Sequence, residues 1–311
     1  MLVSVTTPVK DHHKAMLEAA AAGRCQIVYE MDGAADVIIG DLSPEELQPA
    51  KNLNWYHLVW AGSDRYKPSD FPAGAAFTNG SGAYGVYIAE HVIGSILCLY
   101  RQLRHYEALQ KAHIWDQDWQ EDTLEGKTVL ILGTGDLGSS LAKRLQGFDC
   151  RILGICRSGH PHPFFHAVHT LDDLDHLLPL VDVVVGCLPS TPETIGLMDA
   201  RRLRMMKENA LLVNCGRGSF VVTKDLEDVL EHGHLAGCVL DVTDPEPLPT
   251  DSRLWDMEHV IITPHISGIS FGHVQEMEDR IYRLAAENLR RYLDGEELLN
   301  RVDFEKGYRI R

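Results

Sequence analysis

The sequence predicts an α/β protein built on doubly wound parallel sheets in two domains. Three observations predict it. Over residues 1–60, strand-like and helical runs alternate in a βαβ rhythm that implies parallel strands. At Lys127 the rhythm restarts with Thr128-Val-Leu-Ile-Leu132, a continuous apolar run suited to a strand buried on both faces. The chain has 311 residues, enough for two hydrophobic cores.

Residues 1–7 read as the first strand, and residues 14–22, rich in alanine, as a helix. Residues 36–40 form a short apolar strand. Ser43-Pro44-Glu45-Glu46 opens a helix, with serine as N-cap and proline at the first helical position. Residues 55–60 form another strand, closed by the tight turn Ala61-Gly62-Ser63-Asp64. Residues 74–85, rich in glycine and small side chains, read as a loop. One long helix is expected over 86–111, where Ile93, Ile96, Leu97, Tyr100 and Leu103 recur; a helix of that length crosses between domains. Residues 114–123 are aromatic and acidic without a period, hence a loop. Beyond the strand at Lys127, a helix is expected over 137–146 and strands over 151–155, 181–186, 210–214, 237–241 and 260–263. A last long helix covers 272–293. There are no internal repeats and no low-complexity tract.

Composition narrows the functional classes. With 45% hydrophobic and 24% charged residues the chain is an ordinary soluble protein. No stretch approaches the ~18 apolar residues of a membrane helix. The N-terminus reads as a strand rather than a secretion signal, since it lacks a basic region. A net charge of -16 argues against nucleic acid as a partner and points to a cytoplasmic location. Capture of an anion then falls to local cations, Arg217 first among them. The seven cysteines show no C-x-x-C spacing and sit mostly in apolar runs, which predicts buried free thiols in a reducing compartment. No metal site is predicted: His12-His13 and the group His160, His162 and His166 lack paired Cys or Glu at ligand spacing.

The loop Gly133-Thr-Gly135-Asp136-Leu137-Gly138 follows a strand and opens a helix, the context that a dinucleotide fingerprint requires. Gly133 permits the tight turn, Gly135 the approach of the pyrophosphate, and Gly138 close packing of helix on strand. The helix N-terminus adds N–H groups and a partial positive charge. At the end of the second strand an NAD enzyme usually carries Asp or Glu. Here Cys156 occupies that place, followed by Arg157 and Ser158, a cation and a hydroxyl suited to a 2′-phosphate. NADP is therefore the preferred cofactor and NAD the alternative, a merely solvated Arg157 being the plainer reading.

Three polar residues end three later strands: Arg217 in Asn214-Cys-Gly-Arg-Gly218, Glu246 in Asp241-Val-Thr-Asp-Pro-Glu-Pro247, and His265 in Thr263-Pro-His-Ile266. Ligands of open α/β sheets bind outside the carboxyl ends of strands, so one rule puts all three on the cofactor side.

In these motifs, together with Leu188-Pro-Ser-Thr-Pro-Glu-Thr194, Ala89-Glu-His91 and Asn300-Arg-Val-Asp303, the chain resembles the D-isomer-specific 2-hydroxyacid dehydrogenases over nearly its full length. The resemblance implies two Rossmann-like domains. A cofactor domain, 98–274, is inserted into a discontinuous flavodoxin-like substrate domain, 1–97 and 275–311. It implies that Arg217 binds the carboxylate and carbonyl of a 2-oxo acid. His265 is then the acid/base, and Glu246 orients its ring and favours the imidazolium. Asp241 is expected near the nicotinamide, and Pro189, Thr194, Cys215 and Gly216 join the cofactor site on the same ground. Trp60, Ala61 and Gly62 match the family's substrate-carboxylate loop. Trp60 is bulkier than the residue common in relatives, which favours small substrates of the glyoxylate or hydroxypyruvate type and resembles the glyoxylate/hydroxypyruvate reductases. Trp115 and Trp119 either pack or reach a neighbouring subunit; a homodimer is expected by analogy. Two other readings stay open: a dinucleotide-sensing protein like the corepressors that share this fold, and a short phosphoglycerate dehydrogenase. Formate dehydrogenase is disfavoured, since that family carries Gln where Glu246 stands.

Overall fold

The computed structural model describes residues 1–117, 120–268, 271–304 and 308–309. Trp119 lies outside the described residues. In chain order the first elements are β1 (Leu2–Val5), α1 (Asp11–Ala21), β2 (Gln26–Val28), β3 (Val37–Gly40), α2 (Pro44–Leu47), β4 (Trp55–Leu58) and β5 (Ala76–Asn79). Then come α3 (Gly85–Tyr100), α4 (Leu103–Lys111), β6 (Thr128–Leu132), α5 (Asp136–Leu145), β7 (Arg151–Ile155), β8 (Ala167–His169) and α6 (Leu174–Leu177). The chain continues through β9 (Val183–Gly186), α7 (Ala200–Met205), β10 (Leu211–Asn214), α8 (Thr223–Glu231), β11 (Gly237–Leu240) and β12 (Val260–Ile262). It ends with α9 (Gln275–Asp294), β13 (Val302–Asp303) and β14 (Tyr308–Arg309).

These elements form two compact units, Met1–Tyr84 with Ile269–Arg311, and Gly85–Gly268. The sequence put the changes at 97/98 and 274/275. The first falls earlier in the structure, at Tyr84/Gly85, because α3 packs along α5 and belongs entirely to the second unit, and the second falls at Gly268/Ile269.

In the first unit, a five-stranded parallel sheet runs in the order β2-β1-β3-β4-β5. One face buries Ile38, Tyr56, Leu58 and Phe77. Phe77 stacks on Tyr56 and on Phe304, which returns from the C-terminal segment. Helices α1 and α9 pack on each other, and the His13 ring stacks on Tyr282 with centroids 4.3 Å apart. Strand β5 lies inside the stretch expected to be loop: its glycines bracket Ala76–Asn79, whose Phe77, Thr78 and Asn79 are buried.

The second unit holds a seven-stranded parallel sheet, β12-β11-β10-β9-β6-β7-β8. Alternate residues serve opposite faces, as strands require. Leu130, Leu132, Val184, Leu212 and Leu240 meet α6, α7 and α8 through Leu177, Leu203 and Leu226. Val129, Ile131, Val185, Val213 and Val239 meet α3 and α5 through Ile93, Ile96, Leu141 and Leu145. Burial on both faces explains the unbroken apolar runs.

The long helix expected over 86–111 is two helices. Gln102 adopts a left-handed φ of 50° between them. The break falls where burial ends: α3 closes on buried Tyr100, whereas α4 buries no residue. The thiols also depart in part from expectation. Cys150, Cys215 and Cys238 are buried, but Cys25, Cys98, Cys156 and Cys187 are half-buried. Cys156 and Cys187 lie one residue past β7 and β9, where the sheet gives way to loops.

Candidate active site

The seven-stranded sheet aligns its strand ends. Leu132 pairs with Ile155 and Gly186, Gly186 with Asn214, Asn214 with Leu240, and Leu240 with Ile262. The next residues, Gly133, Cys156, Cys187, Cys215, Asp241 and Thr263, therefore begin the loops on one edge. The strand order reverses between β6 and β9, the point where α/β sheets bind ligands.

Gly133 has a left-handed φ of 106°, and a Cβ there would sit 2.8 Å from the Cys187 carbonyl oxygen. A Cβ on Gly138 would lie 1.9 Å from the Gly133 carbonyl oxygen, so α5 packs this closely on β6 only with glycine. A Cβ on Gly135 would meet nothing within 4 Å. The backbone is thus open where a pyrophosphate would approach, and the first turn of α5 presents its N–H groups there. These residues fit a dinucleotide. Leu137 is half-buried in that turn. The Asp136 carboxylate accepts from the Gly85 N–H at 3.0 Å, so this side chain anchors the start of α3. Sequence reasoning missed that task because 51 residues separate the pair.

Past β7, Cys156 is half-buried, and Arg157 and Ser158 are exposed. The Cys156 sulfur lies 3.5 Å from Ser158 Oγ. Burial pushes this thiol up, but hydrogen bonds from the Ser158 and Thr134 hydroxyls and from nearby backbone outweigh it, and its pKa falls below the ordinary value. Glu193 is held low chiefly by the Thr191 hydroxyl, with the positive charge of Arg157 adding to the effect.

Pro189 and Thr194 close one turn: the Thr194 hydroxyl donates to the Pro189 carbonyl at 2.6 Å, and the Thr191 N–H donates to Thr194 Oγ1 at 2.8 Å. Cys215 faces inward, 3.6 Å from Cys187 Sγ, and the hydrogen bond with that thiol, together with burial, keeps it protonated. A Cβ on Gly216 would lie 2.7 Å from the Leu188 carbonyl oxygen. Asn214 spans the turn that presents Arg217, its amide donating to the Arg217 carbonyl at 2.9 Å. The half-buried Arg217 guanidinium also donates to the Gly216 carbonyl at 2.8 Å.

Glu246 and His265 are brought together: Glu246 Oε1 lies 2.7 Å from His265 Nδ1. Both are about half exposed, 44% and 51%. His265 has a left-handed φ of 54°, uncommon for a non-glycine residue. Its N–H donates to the Asp241 carbonyl at 2.8 Å. The Asp241 carboxylate, only 2% exposed, accepts from the Thr263 hydroxyl at 2.6 Å and the Ile266 N–H at 2.9 Å. It also accepts from the N–H and the hydroxyl of Ser267. His91 Nε2 reaches Thr263 Oγ1 at 3.2 Å. Asp241 thus holds the strained loop that carries His265. Ser267 was missed at the sequence level because it lies beyond the Thr263–Ile266 motif.

Residues 93–267 match the family described as D-isomer specific 2-hydroxyacid dehydrogenase, NAD binding domain. The chain belongs to that family. It is 32% identical over 277 residues to a glyoxylate reductase of Thermofilum pendens, covering 86% of this chain and 80% of the relative. The structure of a D-isomer specific 2-hydroxyacid dehydrogenase family protein from Aeromonas salmonicida superposes with a TM-score of 0.86 at 34% identity, covering 97% of this chain and 99% of that one. An NADPH-dependent glyoxylate/hydroxypyruvate reductase from Sinorhizobium meliloti, in complex with NADP and sulfate, gives 0.81 at 28% identity, with 99% of each chain covered. The dehydrogenase is therefore an oxidoreductase that uses a nicotinamide dinucleotide, NAD or NADP.

In the first unit of the dehydrogenase, the Trp60 ring is half-buried between Tyr84 and Phe271, with centroids 6.0 and 5.6 Å away. The Trp60 carbonyl accepts from the Gly80 N–H at 2.8 Å, and the Ala61 carbonyl from the Asn79 amide at 2.7 Å. Gly62 follows, half-buried, in the same turn. No described helix is long and apolar enough to cross a membrane.

Proposed function

We propose that the dehydrogenase reduces a small 2-oxo acid, of the glyoxylate or hydroxypyruvate type, to the D-2-hydroxy acid, with NADPH preferred over NADH. The observation that carries this reading is the 2.7 Å pair of Glu246 and His265 on the sheet edge that also presents Arg217. Names of relatives that reduce glyoxylate support the substrate class. Arg157 and Ser158, with Cys156 in place of an acid, support NADPH.

When bound, the nicotinamide supplies the hydride. Arg217, planar and always charged, holds the carboxylate and polarises the carbonyl oxygen. Glu246 engages Nδ1 of His265, which leaves Nε2 as the atom that gives its proton to the carbonyl oxygen. In the oxidative direction Nε2 takes that proton back. Glu246 keeps the ring oriented through that contact with Nδ1. Gly133, Gly135, Leu137, Gly138, Pro189, Thr194, Cys215 and Gly216 shape the cofactor's bed. Asp136 and Asp241 act there through the elements they fix. Trp60, Ala61 and Gly62 are assigned to the substrate, with Trp60 limiting its size. A second copy of the chain is proposed as partner: α4 and the segment after it expose Leu103, Ile114 and Trp115, the last at 90%.

The test is NADPH oxidation across a panel of 2-oxo acids, 3-phosphohydroxypyruvate included, repeated with NADH. Glyoxylate and hydroxypyruvate are expected to give the largest kcat/KM. Tight NADPH binding with no turnover of any 2-oxo acid refutes the proposal in favour of a sensor. Light scattering of wild type against Trp115→Lys tests the dimer.

A further inference from the structure

We infer that His12, His13 and Asp279 form a metal site that takes one divalent first-row transition ion, zinc above all, and clips α1 to α9. The ligand atoms of the three side chains lie within 4.8 Å of one another. Nε2 of His12 and Nε2 of His13 approach the same oxygen, Asp279 Oδ1, at 2.9 and 2.8 Å. Consecutive helical residues point about 100° apart and do not face each other. These two occupy the first turn of α1, yet their rings are 4.0 Å apart and converge on one point.

Burial is graded as a site with an entrance requires. His12 is 41% exposed, Asp279 19% and His13 0%. Stacking on Tyr282 fixes the His13 ring from the far side. Zinc holds imidazole nitrogen and carboxylate oxygen at about 2.0–2.2 Å in a tetrahedron, which sets donors roughly 3.4 Å apart. Lengthening each of the two nitrogen–oxygen contacts by about 0.5 Å brings those sides to that size, and the third side is at most 4.8 Å. Two imidazoles and one carboxylate suit zinc, cobalt and nickel better than magnesium or calcium, which prefer all-oxygen shells. Glu278 is not the fourth ligand, since Lys10 at 2.7 Å and the Gly272 N–H at 2.8 Å engage its carboxylate. The exposed His12 side leaves the fourth position open to water when the ion is bound. Loading makes His13 Nδ1 a donor, at the expense of the 3.4 Å contact from the Lys10 N–H. The sequence hid the set because Asp279 lies 266 residues beyond His13.

The experiment titrates cobalt(II) into the full chain after dialysis against EDTA and reads visible absorption, with zinc as competitor. One cobalt per chain is expected, with the weak d–d bands of nitrogen and oxygen ligands, displaced by zinc. Zinc is expected to raise the melting temperature in a concentration-dependent way. His12→Ala, which leaves the core untouched, and Asp279→Asn should lose both responses, while exposed His160→Ala keeps them. No saturable band in wild type, an intense thiolate charge-transfer band instead, or a full response in His12→Ala overturns the site.

Discussion

The two parallel sheets share a plan and differ in the turn after their first strand. Each reverses its order there: β1 lies between β2 and β3, and β6 between β7 and β9. Strand β6 runs into three glycines, and a Cβ on the middle one would meet no atom within 4 Å. Strand β1 runs into Thr6-Thr7-Pro8-Val9-Lys10, and the Tyr282 hydroxyl from α9 fills that turn. It contacts Thr7 Oγ1 at 3.0 Å and donates to the Pro8 carbonyl at 2.8 Å. One crevice is left open for a ligand, and the other is closed by a side chain. The fold supplies two equivalent places, and loop residues decide which becomes a site.

The largest effect that tests this contrast is on chemistry. His265→Ala should lower kcat by about 10²–10⁴ while NADPH affinity stays near wild type, measured by steady-state kinetics and fluorescence titration. A wild-type kcat would remove His265 from the reaction. Gly138→Ala should come next, because the new methyl meets backbone rather than a flexible side chain. Overpacking of about 3 kcal/mol is expected, seen as a lower denaturation midpoint and weakened NADPH binding. Asp241→Asn turns an acceptor-only group toward donors on Thr263, Ile266 and Ser267, and should cost about 1–3 kcal/mol of stability and lower kcat more than it raises KM. Glu246→Gln should lower kcat by about tenfold with KM near wild type, since an amide holds Nδ1 of His265 less firmly than a carboxylate; an unmoved kcat would detach Glu246 from that task. Arg157→Ala should cut the NADPH over NADH preference roughly tenfold in kcat/KM. The smallest change is the control: Pro8→Gly in the closed crevice should leave NADPH affinity unaltered, and a loss there would erase the distinction between the two turns.

The central strands of both units were legible in sequence. They are buried on both faces, so Val37 to Ile39, Val129 to Leu132 and Val183 to Val185 appear as unbroken apolar runs. Strands β2 and β8 at the sheet edges leave no such trace, since their three residues each are exposed or half-buried. The trio drew notice in sequence because its members lie three to six residues past strand ends, and the register lines those ends up. The contacts that hold the trio's surroundings did not. Asp136 reaches Gly85 across 51 residues, and Asp241 reaches Ser267 across 26. Such pairs depend on topology, which local pattern does not carry. The end of α3 was hidden for a related reason: the sequence has no proline or glycine at Gln102, and only the loss of a buried face marks the break.

The aligned strand ends also bear on how this chemistry can be rewritten. Residues Arg217, Glu246 and His265 hang on three separate loops from one ruler of backbone pairs, Asn214 to Leu240 to Ile262. The loops after β11 and β12 are tied to each other through Asp241 and through the Glu246–His265 pair, so a change in one carries into the other, whereas a single residue inserted into β10 or β11 turns every following side chain to the opposite face. The strands act as fixed sockets, and the loops plugged into them change as a coupled set rather than one at a time.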